Sequence, residues 1–196
     1  MANRNGGRRR VVVTGMGLIT PVGNDVATAW SALLEGRSGA GPITQFDANE
    51  DYDCRFAAEV KDFRVEDYLE RKEAKRMDRF THFAMAASQE ALRQAGLADE
   101  DAKVDRDRVG VLIGSGIGGI HTFEEQTRIM IERGPKRISP FFVPMFIPDI
   151  AAGHVSMRYK LRGPNYCTVS ACASSAHAVG DAFRIIQRGE ADVMVA

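Results

Sequence analysis

A chain of 196 residues is long enough for one domain with a substantial core, and its 44% hydrophobic and 27% charged composition is ordinary for a globular protein in water. Lysine plus arginine and aspartate plus glutamate both number 26, so the net charge is zero and no global attraction to nucleic acid is expected, only a local basic patch at most. The three cysteines, Cys54, Cys167 and Cys172, are odd in number and lack zinc-type spacing, which argues against a disulfide framework or a metal site.

Residues 1 to 9 are polar and rich in glycine and arginine, and read as disordered or expression-derived. Arg8, Arg9 and Arg10 followed by Val11 to Thr20 superficially resemble a secretory leader. Gly15 and Gly17 interrupt that run, however, and Pro21 and Gly23 follow it without a small-residue cleavage pattern. No stretch approaches the ~20 apolar residues of a membrane span. The expectation is a cytoplasmic protein in a reducing setting, without membrane association.

Arg10 to Gly15 reads as a buried strand running into a Gly-x-Gly turn. Asn24 or Asp25 can cap a helix with apolar positions Val26, Trp30, Leu33 and Leu34, ended by Gly36. Residues 37 to 65 read as loops with short extended pieces. The clearest helix has Met77, Phe80, Ala84, Ala87, Ala91 and Ala95 at three- and four-residue steps, with Gly96 as its stop. Val109 to Ile113 is a second buried strand, entering the turn Gly114-Ser115-Gly116-Ile117-Gly118-Gly119, after which a helix runs from about His121 to Glu132. Ser139-Pro140-Phe141-Phe142-Val143-Pro144 suits a pocket wall or a subunit contact.

A third strand, Tyr166 to Ser170, leads into Cys172. A helix from Ala173 to Arg188 closes with Gly189, and Ala191 to Ala196 is a fourth strand. Strands alternating with helices predict an α/β layered domain with a mainly parallel sheet and helices packed on it. There is no internal repeat or low-complexity linker. The sequence stops on an apolar strand with no loop or capping segment, an odd place for a natural chain to end.

Thr168-Val169-Ser170-Ala171-Cys172-Ala173-Ser174-Ser175 is the informative segment. A β-rich run drops into small residues and then a helix, placing Cys172 at the helix's first turn. Free N–H groups and the positive helix end favour a thiolate there, and small neighbours let a bulky acyl group approach. The arrangement is that of a hydrolase nucleophile elbow with sulfur in place of oxygen. At ~100° per residue, Cys172 shares the apolar side with Ala176, Val179, Phe183 and Ile186. His177 falls on the opposite side with Asp181, Arg184 and Arg188, poorly placed as a base. Local chemistry alone leaves open an inert buried cysteine.

Ser170 to Ser175 is similar to the nucleophile motif of condensing enzymes, and further segments match in order. These are Arg10-Val11-Val12-Val13-Thr14-Gly15-Met16-Gly17, then Gly114 to Gly119, Ile138 to Pro144, Leu161-Arg162-Gly163-Pro164 and Ala191 to Ala196. Together they resemble the β-ketoacyl-acyl-carrier-protein synthase family of type II fatty-acid synthesis. The resemblance implies a thiolase-like fold of two similar halves in a homodimer, with residues 10–196 as the incomplete N-terminal half. Cys172 would take an acyl chain from acyl carrier protein, and malonyl-carrier protein would lose carbon dioxide and attack the resulting thioester. The Cys172 N–H would form part of an oxyanion hole. The family's two catalytic histidines and lysine come from the second half; His82, His121, His154 and His177 match none of them. The chain is therefore expected to be catalytically incomplete by itself.

By the same resemblance Ile117 and Phe142 line the acyl pocket, with Phe142 reaching into the partner subunit. Lys72, Lys75 and Arg76, which with Arg71 form a basic cluster at the start of the long helix, dock the acidic carrier; the plain alternative is a solvated helical face. His177 is expected to be structural and hydrogen-bonded. Gly114 to Gly119 also fits a Gly-x-Gly-x-x-Gly dinucleotide pattern, but the acidic residue ~20 positions on is absent, and no cofactor is expected. Rival functions are the ketosynthase subunit of a type II polyketide system and a non-catalytic chain-length partner. The latter lacks the nucleophile, so Cys172 counts against it.

Overall fold

In the computed structural model, which describes residues 9–196, the chain from Arg10 to Ile19 joins no sheet. This corrects the expected buried strand Arg10–Gly15: Val13 is 80% exposed, and no described strand pairs with it. A valine run becomes a strand only where a neighbouring backbone takes its amides. Among the described residues no hydrogen bond engages the Val11–Val13 amides, and beyond that run Gln94 Oε1 accepts from Met16 N–H at 2.6 Å and Glu90 Oε2 from Leu18 N–H at 3.0 Å. Of the start expected to be disordered, residues 1–8 lie outside the described residues, whereas Arg9 pairs with Asp192 at 2.9 Å.

Helix α1 (Val26–Leu34) begins at Asp25, whose carboxylate accepts from Thr28 N–H at 2.7 Å, so of the two candidate caps Asp25 is the one used. Its buried residues are Ala29 and Ala32, while Trp30 is 60% exposed and Leu33 and Leu34 are exposed too. The turn at Thr20–Gly23 approaches the backbone of Ala29 directly, so small residues occupy the inner face and the large apolar ones are turned outward. Residues 37–65 hold one short antiparallel pair, β1 (Gly41–Pro42) with β2 (Phe56–Ala57).

The basic cluster does not begin the long helix. It occupies a separate turn, α2 (Arg71–Ala74), with Lys75 and Arg76 just after it. Asp78 then adopts extended backbone and starts α3 (Arg79–Gln94) afresh. The deepest face of α3 is Thr81, Met85, Ser88 and Leu92. The alanines at 84, 87 and 91 are half-buried, with the N-terminal glycines against Ala87 and Ala91.

Strand β3 (Val109–Leu112) is buried along its whole length. It is the centre of a parallel sheet, flanked by β4 (Asn165–Tyr166) and β5 (Val193–Val195), with Val111 opposite both Asn165 and Val195. This is the α/β layering with a parallel sheet expected from the sequence. β4 is shorter than the strand predicted over Tyr166–Ser170, because beyond Tyr166 the chain leaves the sheet and Thr168 O accepts from Ser115 N–H at 3.2 Å. The remaining helices are α4 (Ile120–Arg133), α5 (Phe142–Phe146), α6 (Ile150–Tyr159) and α7 (Ser174–Arg188).

Alternation along β3 builds two layers. Val109 and Val111 point to one side, where Met85 and Leu92 of α3 and Ala152 and Val155 of α6 close the main core. Leu112 points to the other side and meets Ala178 and Ala182 of α7. Each fully buried valine or leucine here contributes about 1.5–3 kcal/mol. Helix α6 was not expected, although Ala151, Ala152, Val155 and Tyr159 carry its period. At the sheet edge, hydrogen bonds from Arg108 and Arg9 hold the Asp192 carboxyl down to about 2. No described helix is long and apolar enough to cross a membrane.

The half-buried Arg106 ties the two core helices together. Its guanidinium donates to Leu97 O at 3.1 Å and Asp99 O at 2.5 Å beyond α3, and to Tyr159 O at 3.3 Å at the end of α6. Arg106→Met keeps the stem and removes those donors, leaving the Leu97 and Tyr159 carbonyls without them while Asp99 O keeps the Ala102 N–H. Urea unfolding should show a loss of about 2 kcal/mol.

Candidate active site

Cys172 owes its position to a sharp reversal between β4 and α7. Ser170 has φ −153° and ψ 50°, outside the extended region, and Ala171 takes φ +49°, a left-handed conformation that costs a non-glycine residue on the order of 1 kcal/mol. Ala171–Ala173 then form a single 3₁₀ turn, and α7 starts at Ser174. Cys172 thus precedes the helix rather than sitting in its first turn, with the positive helix end just behind it. Cys172 is exposed, so it is not the buried cysteine that local chemistry left open. No backbone carbonyl among the described residues accepts from Cys172 N–H.

Ser174 is the lock of this turn. It is buried, its hydroxyl donates to Ala171 O at 2.7 Å and accepts from Ser170 N–H at 2.9 Å, and its carbonyl accepts from Thr168 Oγ1 at 2.8 Å. The sequence reading gave Ser174 only the merit of being small. The buried face of α7 is Ser174, Ala178, Ala182 and Ile185. The side predicted to be shared with Cys172, through Ala176, Val179 and Phe183, is exposed apolar surface.

The other thiols differ in setting. Cys167 is half-buried and burial pushes its thiol up, which disfavours the thiolate. Cys54 is exposed, with its sulfur directed at Phe56 O beside β2. His177 Nδ1 lies 2.6 Å from Ser170 Oγ, the structural, hydrogen-bonded role expected of it. A groove of ≈ 380 Å³ beside it is lined by Ser170, Ala176, His177 and Asp181 among others. His82 Nε2 is 2.9 Å from Ala74 O, burial pushes His154 down, and His121 is exposed. None of the four is hydrogen-bonded to Cys172.

The glycine-rich turn is pressed between the cysteine turn and α5. A Cβ on Gly114 would strike the backbone of Ser174, and one on Gly119 would strike Met145 O, so side chains are excluded at both contacts. Three of its amides are already engaged: Ser115 N–H with Thr168 O, Gly118 N–H with Ser115 Oγ, and Gly119 N–H with Phe146 O. A dinucleotide loop needs those donors free for phosphate, so the fingerprint here reflects close packing. Ile117 stands at the crest of the turn, 60% exposed, next to Gly116, which faces Ala171. Phe142 is half-buried against Phe123 and Phe146, with ring centroids 6.2 and 6.0 Å away.

Lys72, Lys75 and Arg76 are all exposed. The Arg76 guanidinium lies over the Phe141 ring at 4.8 Å, so the basic cluster abuts the segment that carries Phe142. The sequence reading missed this adjacency, and it missed the exposed Lys136 and Arg137 on the 3₁₀ turn leading into the same segment. Among the described residues no group of three or more His, Cys, Asp or Glu could hold a metal ion.

The family model for the β-ketoacyl synthase N-terminal domain matches residues 8–196. The chain belongs to the β-ketoacyl synthase family. It is 52% identical over 188 residues to the 3-oxoacyl-[acyl-carrier-protein] synthase 2 of Synechocystis, covering 96% of this chain and 44% of that protein. Among solved structures it is similar to the ishigamide ketosynthase/chain length factor, with TM-score 0.85 and 29% identity over 96% of this chain and 46% of that one. It is also similar to a type II PKS acyl-carrier protein complex with its ketosynthase, with TM-score 0.78 and 26% identity over 95% of this chain and 49% of that one. This β-ketoacyl synthase chain thus spans less than half the length of the curated relative, and the thiolase-like layering expected from the sequence is that of its structural neighbours.

If Ser174 locks the cysteine turn, Ser174→Ala should cost about 1–3 kcal/mol, because the Ser170 amide loses its partner and the Ala171 carbonyl keeps only the Ser174 N–H. Alkylation of Cys172 by a small electrophile, followed by mass spectrometry, should also slow relative to Cys54. Equal ratios in both proteins would mean that Ser174 does not position the thiol.

Proposed function

We propose that Cys172 is the acyl-accepting nucleophile of a fatty-acid condensing enzyme. The observation that carries this reading is the exposed thiol on a left-handed turn at the head of α7, with its own N–H unclaimed by any described carbonyl. The Cys172 thiolate attacks the acyl thioester of a carrier protein, the new carbon–sulfur bond forms at Sγ, and the carrier thiolate leaves. The Cys172 N–H faces the developing oxyanion. Malonyl-carrier protein then loses carbon dioxide, and its carbanion attacks the enzyme thioester and returns the Cys172 thiolate. The resemblance assigns charge stabilisation in that second step to two histidines and a lysine in the portion of the relatives that this chain does not span.

In this reading Ile117 and Phe142 line the acyl pocket, and Lys72, Lys75 and Arg76 form the dock for an acidic carrier. Residues 10–196 act as the N-terminal half of the domain, in a cytoplasmic homodimer whose partner subunit receives Phe142. Support for fatty-acid elongation is the 52% identity to a 3-oxoacyl-[acyl-carrier-protein] synthase 2. A type II polyketide ketosynthase is the second reading, favoured by structural neighbours at 26% and 29% identity. A chain-length partner without condensation chemistry has no use for an exposed thiol on this turn.

Incubating the complete gene product with an acyl-carrier protein and mapping the thioester by mass spectrometry should place the acyl group on Cys172. Label on Cys54 or Cys167 with none on Cys172 would overturn the assignment. Saturated acyl-carrier substrates that are extended once and released separate fatty-acid elongation from iterative polyketide synthesis.

Reversing the charges of Lys72, Lys75 and Arg76 to glutamate should raise the Michaelis constant for the carrier-borne substrate by about tenfold or more and flatten its salt dependence. Small thioester substrates should be little affected. Equal losses with both substrate types would assign these residues to folding.

A further inference from the structure

Asp78 is 5% exposed and Thr122 2%, and the two are bonded across the gap between α3 and α4. Asp78 Oδ1 accepts from Phe80 N–H at 3.4 Å in the first turn of α3. Its Oδ2 accepts from Thr122 N–H at 2.7 Å and from Thr122 Oγ1 at 2.6 Å in the first turn of α4. Helix α4 has no side-chain cap of its own, because Gly119 stands at that position. One carboxylate therefore caps two helices, and both positive helix ends converge on it. Gly119 also keeps clear the space beside Asp78 Oδ2, which a Cβ would reach at 3.1 Å.

This carboxylate joins two parts of the molecule with different tasks. On the chain side, Arg76 is separated from it by Met77 alone, and Met77 N–H donates to Ala74 O at 3.1 Å, so the end of α2 is fastened to it. On the bonded side, Thr122 fixes the start of α4, whose entry is the glycine turn bearing Ile117. Phe123, the next residue, has its ring 6.2 Å from Phe142 and 5.3 Å from Phe146. One helical turn further, the buried Gln126 Oε1 accepts from Ser139 N–H at 2.7 Å, which fixes the segment leading to Phe141. The Phe141 ring lies under the Arg76 guanidinium, which closes the circuit.

We propose that Asp78 is a positioning residue that makes acyl chain-length selection depend on how the carrier protein docks. The proposal rests on the reading of Cys172 as the acyl acceptor and of Lys72, Lys75 and Arg76 as the dock. A load on Arg76 reaches Asp78 through one intervening residue. A buried carboxylate with all these donors cannot shift without either losing charge-assisted hydrogen bonds or carrying Thr122 with it. Movement of Thr122 displaces the turn bearing Ile117 and tilts Phe123 against Phe142, the two residues assigned to the acyl pocket. A thioester that bypasses the dock exerts no such load.

The test compares Cys172 acylation by octanoyl and palmitoyl groups, delivered either on acyl carrier protein or on coenzyme A, in the complete gene product. In the wild type the octanoyl-to-palmitoyl rate ratio should differ between the two carriers by about tenfold, less than the roughly 100-fold cost of a 1 Å misplacement. Thr122→Val preserves shape but removes the hydroxyl donor, and should bring the two ratios together. Asp78→Asn should do the same, and Thr122→Ser, which keeps the hydroxyl, should restore the difference. Equal ratios in the wild type, or a Thr122→Val protein that melts lower yet keeps the difference, would overturn the proposal. If the wild-type Cys172 takes no acyl group from either carrier, the assigned nucleophile fails and the proposal falls with it.

Discussion

Three stretches of backbone meet at the candidate site without side chains between them, and the rest of the arrangement follows from that approach. Gly114 lies against Ser174, Gly119 against Met145, and Gly116 faces Ala171. Backbones can come this close only if their polar groups pair across the contact, since an unpaired buried amide costs about 1–3 kcal/mol. The pairing is found in Ser115 N–H to Thr168 O and Gly119 N–H to Phe146 O. The glycine turn therefore serves as a wedge that sets the cysteine turn on one side and the phenylalanine segment on the other.

Strain at Ala171 becomes intelligible within this wedge. A left-handed alanine is disfavoured by itself, and the turn persists because its surroundings over-determine it. Ser174 bonds both Ser170 and Ala171, and Thr168 bonds back to Ser174. The parallel pairing of β4 with β3 fixes where the chain leaves the sheet. Deep burial of β3 between two helical layers makes that departure point rigid, so the Cys172 thiol is exposed on a framework that does not itself need to move.

Much of this was legible in the sequence, for identifiable reasons. β3, β5, α4 and α7 carry continuous apolar runs or clean helical periods bounded by glycine, and the structure places them close to the predicted limits. The Val11–Val13 run misled because strand propensity needs a hydrogen-bonding neighbour, and no described strand pairs with it. In α1 and α7 the periodic large residues, Trp30, Leu33 and Phe183, are exposed while alanines face inward. Periodicity reports an apolar face but not whether the described chain covers it. Asp78 was readable as a helix cap only for α3; its second role depends on Thr122, 44 residues away, and no local pattern announces a cap shared across that distance. Cys172 was found through its motif, whereas the Ser174 lock was not, because a small residue after a nucleophile reads as access rather than as a hydrogen-bonding partner.

The Gly114–Gly119 pattern shows how one sequence signature serves two physical ends. In a phosphate loop, glycines bend the chain so that successive amides point into solvent and meet an anion. Here the amides of Ser115, Gly118 and Gly119 are all committed to protein acceptors, and the missing side chains make room for neighbouring backbone instead. The distinction lies in the acceptors, and they belong to Thr168 and Phe146, outside the motif. The N–H of Cys172, just before α7, stands beside its own thiol and is taken by no described backbone carbonyl. That geometry suits an oxyanion forming at a carbon bonded to that sulfur.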